Sequence, residues 1–124
     1  MQYSKATLRI AGVLALSTTL AHGQSVDPQA WAMGEHIFKT RCVVCHGVNA
    51  DGQSDLARIM RPPPANLRRS KLDDAQRTQI VSKGGEAVGR SPNMPIWELE
   101  LTPEEIRAVV TYVGTLKLPV GEGE

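Results

Sequence analysis

The stretch "RCVVCHGVNA", residues 41–50, holds the chain's two cysteines, Cys42 and Cys45, with His46 directly after the second. Two thiols and an imidazole within five residues suit three chemistries: a redox dithiol, a zinc site, or covalent attachment of haem. A thioredoxin-like dithiol belongs to a fold of alternating strands and helices, and no segment here reads as a convincing strand. Zinc would have four candidate ligands in Cys42, Cys45, His36 and His46. Neighbouring Cys45 and His46, however, point in different directions on a helical turn, which makes a tetrahedral site awkward. Haem uses that adjacency. On a turn of helix Cys42 and Cys45 project to one side, so each sulfur can add to one vinyl group, and His46 comes over the iron. A disulfide between them would close a very short loop and constrain little of the unfolded chain.

A second axial donor is then expected well downstream, and a soft one if the iron exchanges electrons. Met94, in "SPNMPIW", sits between Pro92 and Pro95 in a segment with no helical face to serve. Methionine is ordinarily a core filler, but His/Met ligation is an established haem arrangement that raises the reduction potential. The expected metal ligands are His46 and Met94, and the expected cofactor-binding set is Cys42, Cys45, His46 and Met94. Met60, in "RIMRPPP", and His36, on the first helical segment, are the competitors. Neither is expected to reach the face opposite His46.

The start, "MQYSKATLRIAGVLALSTTLAHGQS", has the three parts of a secretory signal: Lys5 and Arg9, an apolar run from Ile10 to Leu20, and the small residues Ala21 and Gly23. The run is about half the roughly 20 residues that span a bilayer. We expect cleavage after Gly23, with the site after Ser25 as second choice, giving a single exported domain of residues 24–124 that does not span the membrane. Its aromatic residues are Trp31, Phe38, Trp97 and Tyr112, few for a core that must stand alone.

The rest of the chain breaks into helical segments. "DPQAWAMGEHIFKTRC" has Asp27 as N-cap, Pro28 at the first helical position, and Trp31, Gly34, Ile37 and Phe38 at helical spacing. "LDDAQRTQIVSKGG" offers Asp73 and Gln76 as a capping box and Gly84 as a stop. "LTPEEIRAVVTYVGTLKLP" has Thr102, Pro103 and Glu105 at its start and an apolar repeat of Ile106, Val109, Val110 and Val113 before Pro119. Between them lie long Gly- and Pro-rich loops, with one helical turn expected around 54–59. Loops this long in a small domain need something to wrap around.

With "CVVCHG", with "NMP" some fifty residues later and with a first and last helix that look like a crossing pair, the chain resembles the class I monohaem cytochromes c of bacteria over roughly residues 28–118. The resemblance implies an all-α fold in which long loops and a short middle helix wrap one covalently bound haem c. It implies that Gly34 and Phe38 pack against Val109 and Tyr112 where the first and last helices cross. It also implies that a proline carbonyl soon after the histidine accepts the hydrogen bond from Nδ1. The prolines here are Pro62, Pro63 and Pro64, so one of these three is expected to be the acceptor, or else the triplet is a stiff spacer.

The formal net charge is +1, but it is unevenly spread. Residues 24–57 carry a net −2, residues 58–90 a net +5 and residues 91–124 a net −4. The basic middle is either a solvated mixture or a field for docking an acidic partner. Alternatively, Arg68, Arg69 and Lys71 hold the haem propionates. Nucleic acid is not an expected partner. The expected function is a periplasmic one-electron carrier, not an enzyme, that meets its redox protein partners at an edge near Val43 and Val44. Two alternatives stand beside it: an electron-delivering subunit of a larger oxidoreductase, or a haem enzyme or gas sensor in which Met94 is labile.

Overall fold

The computed structural model describes residues 26–118, and the expected signal peptide lies outside them. Four α-helices order the chain: α1 (Pro28–Ile37), α2 (Val43–His46), α3 (Asp74–Lys83) and α4 (Pro103–Thr115). Among the described residues there is no strand. Single 3-10 turns punctuate the loops at Leu56–Arg58, Leu67–Arg69, Glu86–Val88 and Trp97–Leu99.

The helix ends follow from side chains that satisfy backbone donors otherwise left unpaired at a first turn. The Asp27 carboxylate accepts from the Gln29 amide, with Pro28 opening α1. At α3, Asp73 accepts from the Gln76 amide while the Gln76 side chain accepts from the Asp73 amide. At α4, Thr102 and Glu105 form the same reciprocal pair. Gly84 ends α3 at φ 78°, a conformation that favours glycine.

The first helical segment differs from the single α-helix expected through Cys42. After Ile37 the chain takes one π-helical turn, Phe38–Cys42, before α2 resumes the α geometry. The last helix contains its whole apolar repeat and stops at Thr115, ahead of Pro119.

Helices α1 and α4 cross at Gly34. A β-carbon there would lie 2.1 Å from the Ala108 carbonyl oxygen and 2.8 Å from the Tyr112 Cβ, so only glycine permits this approach. Around the crossing, the Tyr112 ring meets Trp31 edge-on at 5.1 Å and Phe38 at 5.5 Å. The Trp31 Nε1–H donates to the Thr115 hydroxyl at 3.2 Å. Phe38 is 2% exposed and Val109 is buried beside it, in a core completed by Ile37, Leu101, Ile106 and Val110. Two ion pairs tie the loop before α4 to the rest, Arg41 with Glu100 and Lys83 with Glu98. Being exposed, they contribute little stability.

The crossing yields a stability prediction. Gly34→Ala forces two helices apart, which should destabilise the protein by at least about 2 kcal/mol and lower its melting temperature by roughly 8 °C or more. Gly114→Ala, whose β-carbon would meet its nearest atom at an ordinary 3.6 Å, should cost nothing and gain helix propensity. Thermal melts of the two variants side by side check this.

Candidate functional site

Cys42 closes the π turn, and Cys45 and His46 lie on α2, one helical turn that ends at Gly47 with φ 77°. Both thiols and the imidazole line a single cavity of about 460 Å³, within the size range of cofactor sites. Burial, and then neighbouring Cys45, push the Cys42 thiol up to about 11, so it is protonated at neutral pH.

The Nδ1–H of His46 donates to the carbonyl of Ala65 at 3.1 Å. This corrects the expectation that Pro62, Pro63 or Pro64 supplies the acceptor. The triplet lines the cavity, and the carbonyl that turns to the ring belongs to the residue after it. Burial lowers the His46 pKa, and the Ala65 bond acts against that shift. The result is a neutral imidazole with Nδ1 occupied and Nε2 free to act as a ligand, the usual way such an outer partner fixes the tautomer. The loop carrying Ala65 is anchored where the Leu67 amide donates to the carbonyl of buried Ala50 at 2.8 Å. The turn after His46 is closed by the Gly52 amide, which donates to the His46 carbonyl at 2.8 Å.

A second loop, residues 84–96, brings Met94 to the same cavity. The Met94 amide donates to the Ser91 carbonyl at 3.2 Å, and the Gly85 amide donates to the Met94 carbonyl at 3.1 Å. A β-carbon on Gly85 would sit 2.1 Å from the Ser91 carbonyl oxygen, so the loop folds back on a residue that must be glycine. Asn93 then ties this loop to the proline loop, its amide Nδ2 donating to the Arg61 carbonyl at 3.2 Å. Met60 also lines the cavity, whereas His36 is exposed on α1. The two methionines differ in origin. Met60 belongs to the segment whose Ala65 holds His46, and Met94 comes from the opposing loop.

The wall is otherwise apolar, with Leu72, Ile80, Val109, Val110 and Val113 from the loop and helices around it. Its charged members are Lys71, Arg77 and Arg90, and no Asp or Glu is among the lining residues. Arg68 and Arg69, expected near propionates, are not in the wall. Arg77 was not singled out from the sequence, although a visible signal existed: it falls at helical spacing with Ile80 and Val81 on the inward face of α3. It is 6% exposed, and its Nε–H has no acceptor, a state that costs about 1–3 kcal/mol for a buried donor.

Two thiols on one side of a helical turn, an imidazole with only Nε2 free, a thioether from the facing loop and a cationic, carboxylate-free wall fit a covalently held haem. The fold and the cavity thus define an all-α domain wrapped around one such group. The sequence profile of the cytochrome c family matches residues 31–117. A cbb3-type cytochrome c oxidase subunit FixP from Bradyrhizobium diazoefficiens is 34% identical over 85 residues, which is 68% of this chain and 27% of that protein. The subunit CcoP from Rubrivivax gelatinosus is 30% identical over 97 residues, 77% of this chain and 29% of that one. A cytochrome c-553-like protein from Synechocystis is 30% identical over 83 residues, 67% of this chain and 66% of that one. The chain therefore spans less than a third of the oxidase subunits it matches. It belongs to the cytochrome c family, and its cofactor is a covalently bound haem c.

The Asn93 clasp gives the prediction for this site. Losing one net hydrogen bond of about 1 kcal/mol should open the 84–96 loop about five-fold more often. Asn93→Ala should raise the exchange rate of the Gly85 amide by that factor and leave amides in α1 unchanged, as read by hydrogen exchange of the holoprotein.

Proposed function

We propose that this chain is an exported one-electron carrier, working in the periplasm with His46 and Met94 as the two axial ligands. The observation that carries the reading is the arrangement of donors around one cavity: His46 held by Ala65 on one loop, Met94 held by Gly85 on the other. Haem c would supply the electron-accepting iron, and with His46 and Met94 both holding it no substrate would bind the metal. The residues then act only by binding, orienting and excluding water, and none is required as an acid, base or nucleophile. A neutral thioether favours the ferrous state, as does an apolar wall. Export rests on the leader at residues 1–23. No helix among the described residues is long and apolar enough to cross a membrane.

Electrons would pass at the exposed side of α2. Val44 is 61% exposed, and Val48 and Ile59 are also open to solvent. Val43, expected to share that edge, instead packs against the core. Exposed Arg58, Arg61 and Arg69 lie in the basic segment, which supports a field that steers an acidic redox partner. The second reading, an electron-delivering subunit, is favoured by the likeness to FixP and CcoP, both named as cbb3-type oxidase subunits. A stable copurifying oxidoreductase would put that reading first.

Met94→Ala should keep covalent haem, since Cys42, Cys45 and His46 are untouched, while lowering the reduction potential and admitting small ligands to the iron. The weak long-wavelength sulfur-to-iron absorption of the oxidised protein should vanish in this variant and persist in Met60→Ala. If Met60→Ala abolishes the band, the ligand assignment is wrong. If wild type lacks the band, an open-site enzyme or sensor replaces the carrier. Independently, the bimolecular rate with an acidic partner should fall steeply with rising salt, because attraction is screened beyond about 8 Å at physiological ionic strength. A salt-indifferent rate measured by stopped flow would remove the steering role.

A further inference from the structure

We propose that Arg77 is the anchor for a carboxylate of the bound haem, the residue that receives one propionate inside the protein. The proposal rests on covalent haem c in this cavity, and it does not depend on which sulfur takes the second axial position.

Three observations carry it. First, the charged groups in the wall are cations, Lys71, Arg77 and Arg90, without a carboxylate among the lining residues. Lys71 and Arg90 are exposed and can be solvated, whereas Arg77 is the buried charged residue of the described chain. Second, the charge is poorly balanced by the protein. Its ion-pair partner Asp74 has a side chain that is 71% exposed, so solvent screens much of that attraction. A buried cation wants a partner that shares its low-dielectric surroundings.

Third, the guanidinium has unused donor capacity. One Nη donates to Asp74 and the other to the Leu72 carbonyl, leaving the Nε–H without an acceptor. A guanidinium presents five N–H donors in a fixed fork, suited to holding a carboxylate by two parallel hydrogen bonds. The group is also held in place. Helix α3 is fixed by its capping box, and Gly114 of α4 faces the guanidinium without adding a charge. The groups that face Arg77 are therefore Asp74 and the Leu72 carbonyl from its own side, uncharged Gly114 from α4, and Lys71 and Arg90 from the rest of the wall.

Paired with Arg77, a propionate stays ionised through the neutral range, because an adjacent cation lowers a carboxyl pKa. Unpaired in an apolar wall, its pKa rises toward neutrality. Protonating it as pH falls then removes a negative charge beside the iron and raises the potential. The test is the reduction potential of holoprotein between about pH 5 and 8, for wild type, Arg77→Gln and Arg77→Lys, with Arg68→Gln as a control outside the wall. Wild type and Arg68→Gln should be nearly flat. Arg77→Gln should have a lower potential at pH 8 and a potential that climbs as pH falls, with Arg77→Lys in between. Covalent haem and the long-wavelength absorption should be unchanged in every variant, which separates this result from any failure of the cofactor or ligand reading. A curve for Arg77→Gln that superimposes on wild type would overturn the proposal and leave Arg77 as a link between α3 and residue 72. If Arg77→Gln does not mature, wild type itself decides the matter. Its Arg77 Nε–H proton should be slow to exchange and show NMR cross-peaks to the propionate methylenes, and the absence of those cross-peaks overturns the assignment.

Discussion

The close approach of α1 and α4 at Gly34 is the contact on which the remaining geometry depends. Backbone there lies against backbone, with the Ala108 carbonyl occupying the space a side chain would need. Such a contact tolerates little sliding, because the aromatic rings of Trp31, Phe38 and Tyr112 close around it. Since α1 continues through its π turn into α2, the crossing fixes where the thiols and His46 stand. Since α4 presents Val109, Val110 and Val113 to the cavity, the same crossing sets how far the opposite wall stands from them. The cofactor site is thus framed by helix packing before any loop takes part.

The loops complete the frame in a division of labour. The proline loop supplies a carbonyl to orient His46, and the 84–96 loop supplies Met94. Neither has regular structure beyond single 3-10 turns, and backbone bonds tie each one down: Leu67 to Ala50 in one, Gly85 to Met94 in the other. The Asn93 bond to the Arg61 carbonyl joins them. A cofactor bound between these two loops would add contacts to both and stabilise the folded state. Prosthetic group and fold would then stabilise each other, as in other small domains whose binding energy is folding energy.

What could be read from the sequence, and what could not, divides along physical lines. The caps at Asp27, Asp73 and Thr102 were legible because capping depends on side-chain chemistry at fixed offsets. The crossing at Gly34 was legible through the family resemblance, with which the physics agrees, since close approach demands a residue without a β-carbon. The cofactor was legible because two thiols and an imidazole in one turn have few other uses. The acceptor for His46 was not, because a carbonyl is common to every residue, and nothing in the types at 62–65 says which one turns toward the ring. The π turn was hidden for a similar reason, since it is a hydrogen-bonding choice with no residue signature in "FKTRC". Arg77 was overlooked by convention: a cation in register with Ile80 and Val81 on an inward helix face reads as an interruption in the apolar pattern, although that register was the signal of its burial.

The π turn at Phe38–Cys42 carries an implication for how the chain can vary in length. An α-helix rotates about 100° per residue, so the direction of any side chain relative to Gly34 depends on the number of residues between them. The π turn accommodates one residue more than an α turn would, and so holds the face that packs on α4 and the face that carries the thiols in the relation that a chain one residue shorter would have as plain α-helix. Rewinding all five residues of Phe38–Cys42 as plain α-helix would swing Cys42, Cys45 and His46 about a quarter-turn around the axis, whereas deleting one of them would restore an α turn and keep those three side chains in phase with Gly34. Substitutions at exposed Lys39 and Thr40 leave that register alone. In this stretch the direction in which the thiols point, more than the count of residues, is the inherited quantity.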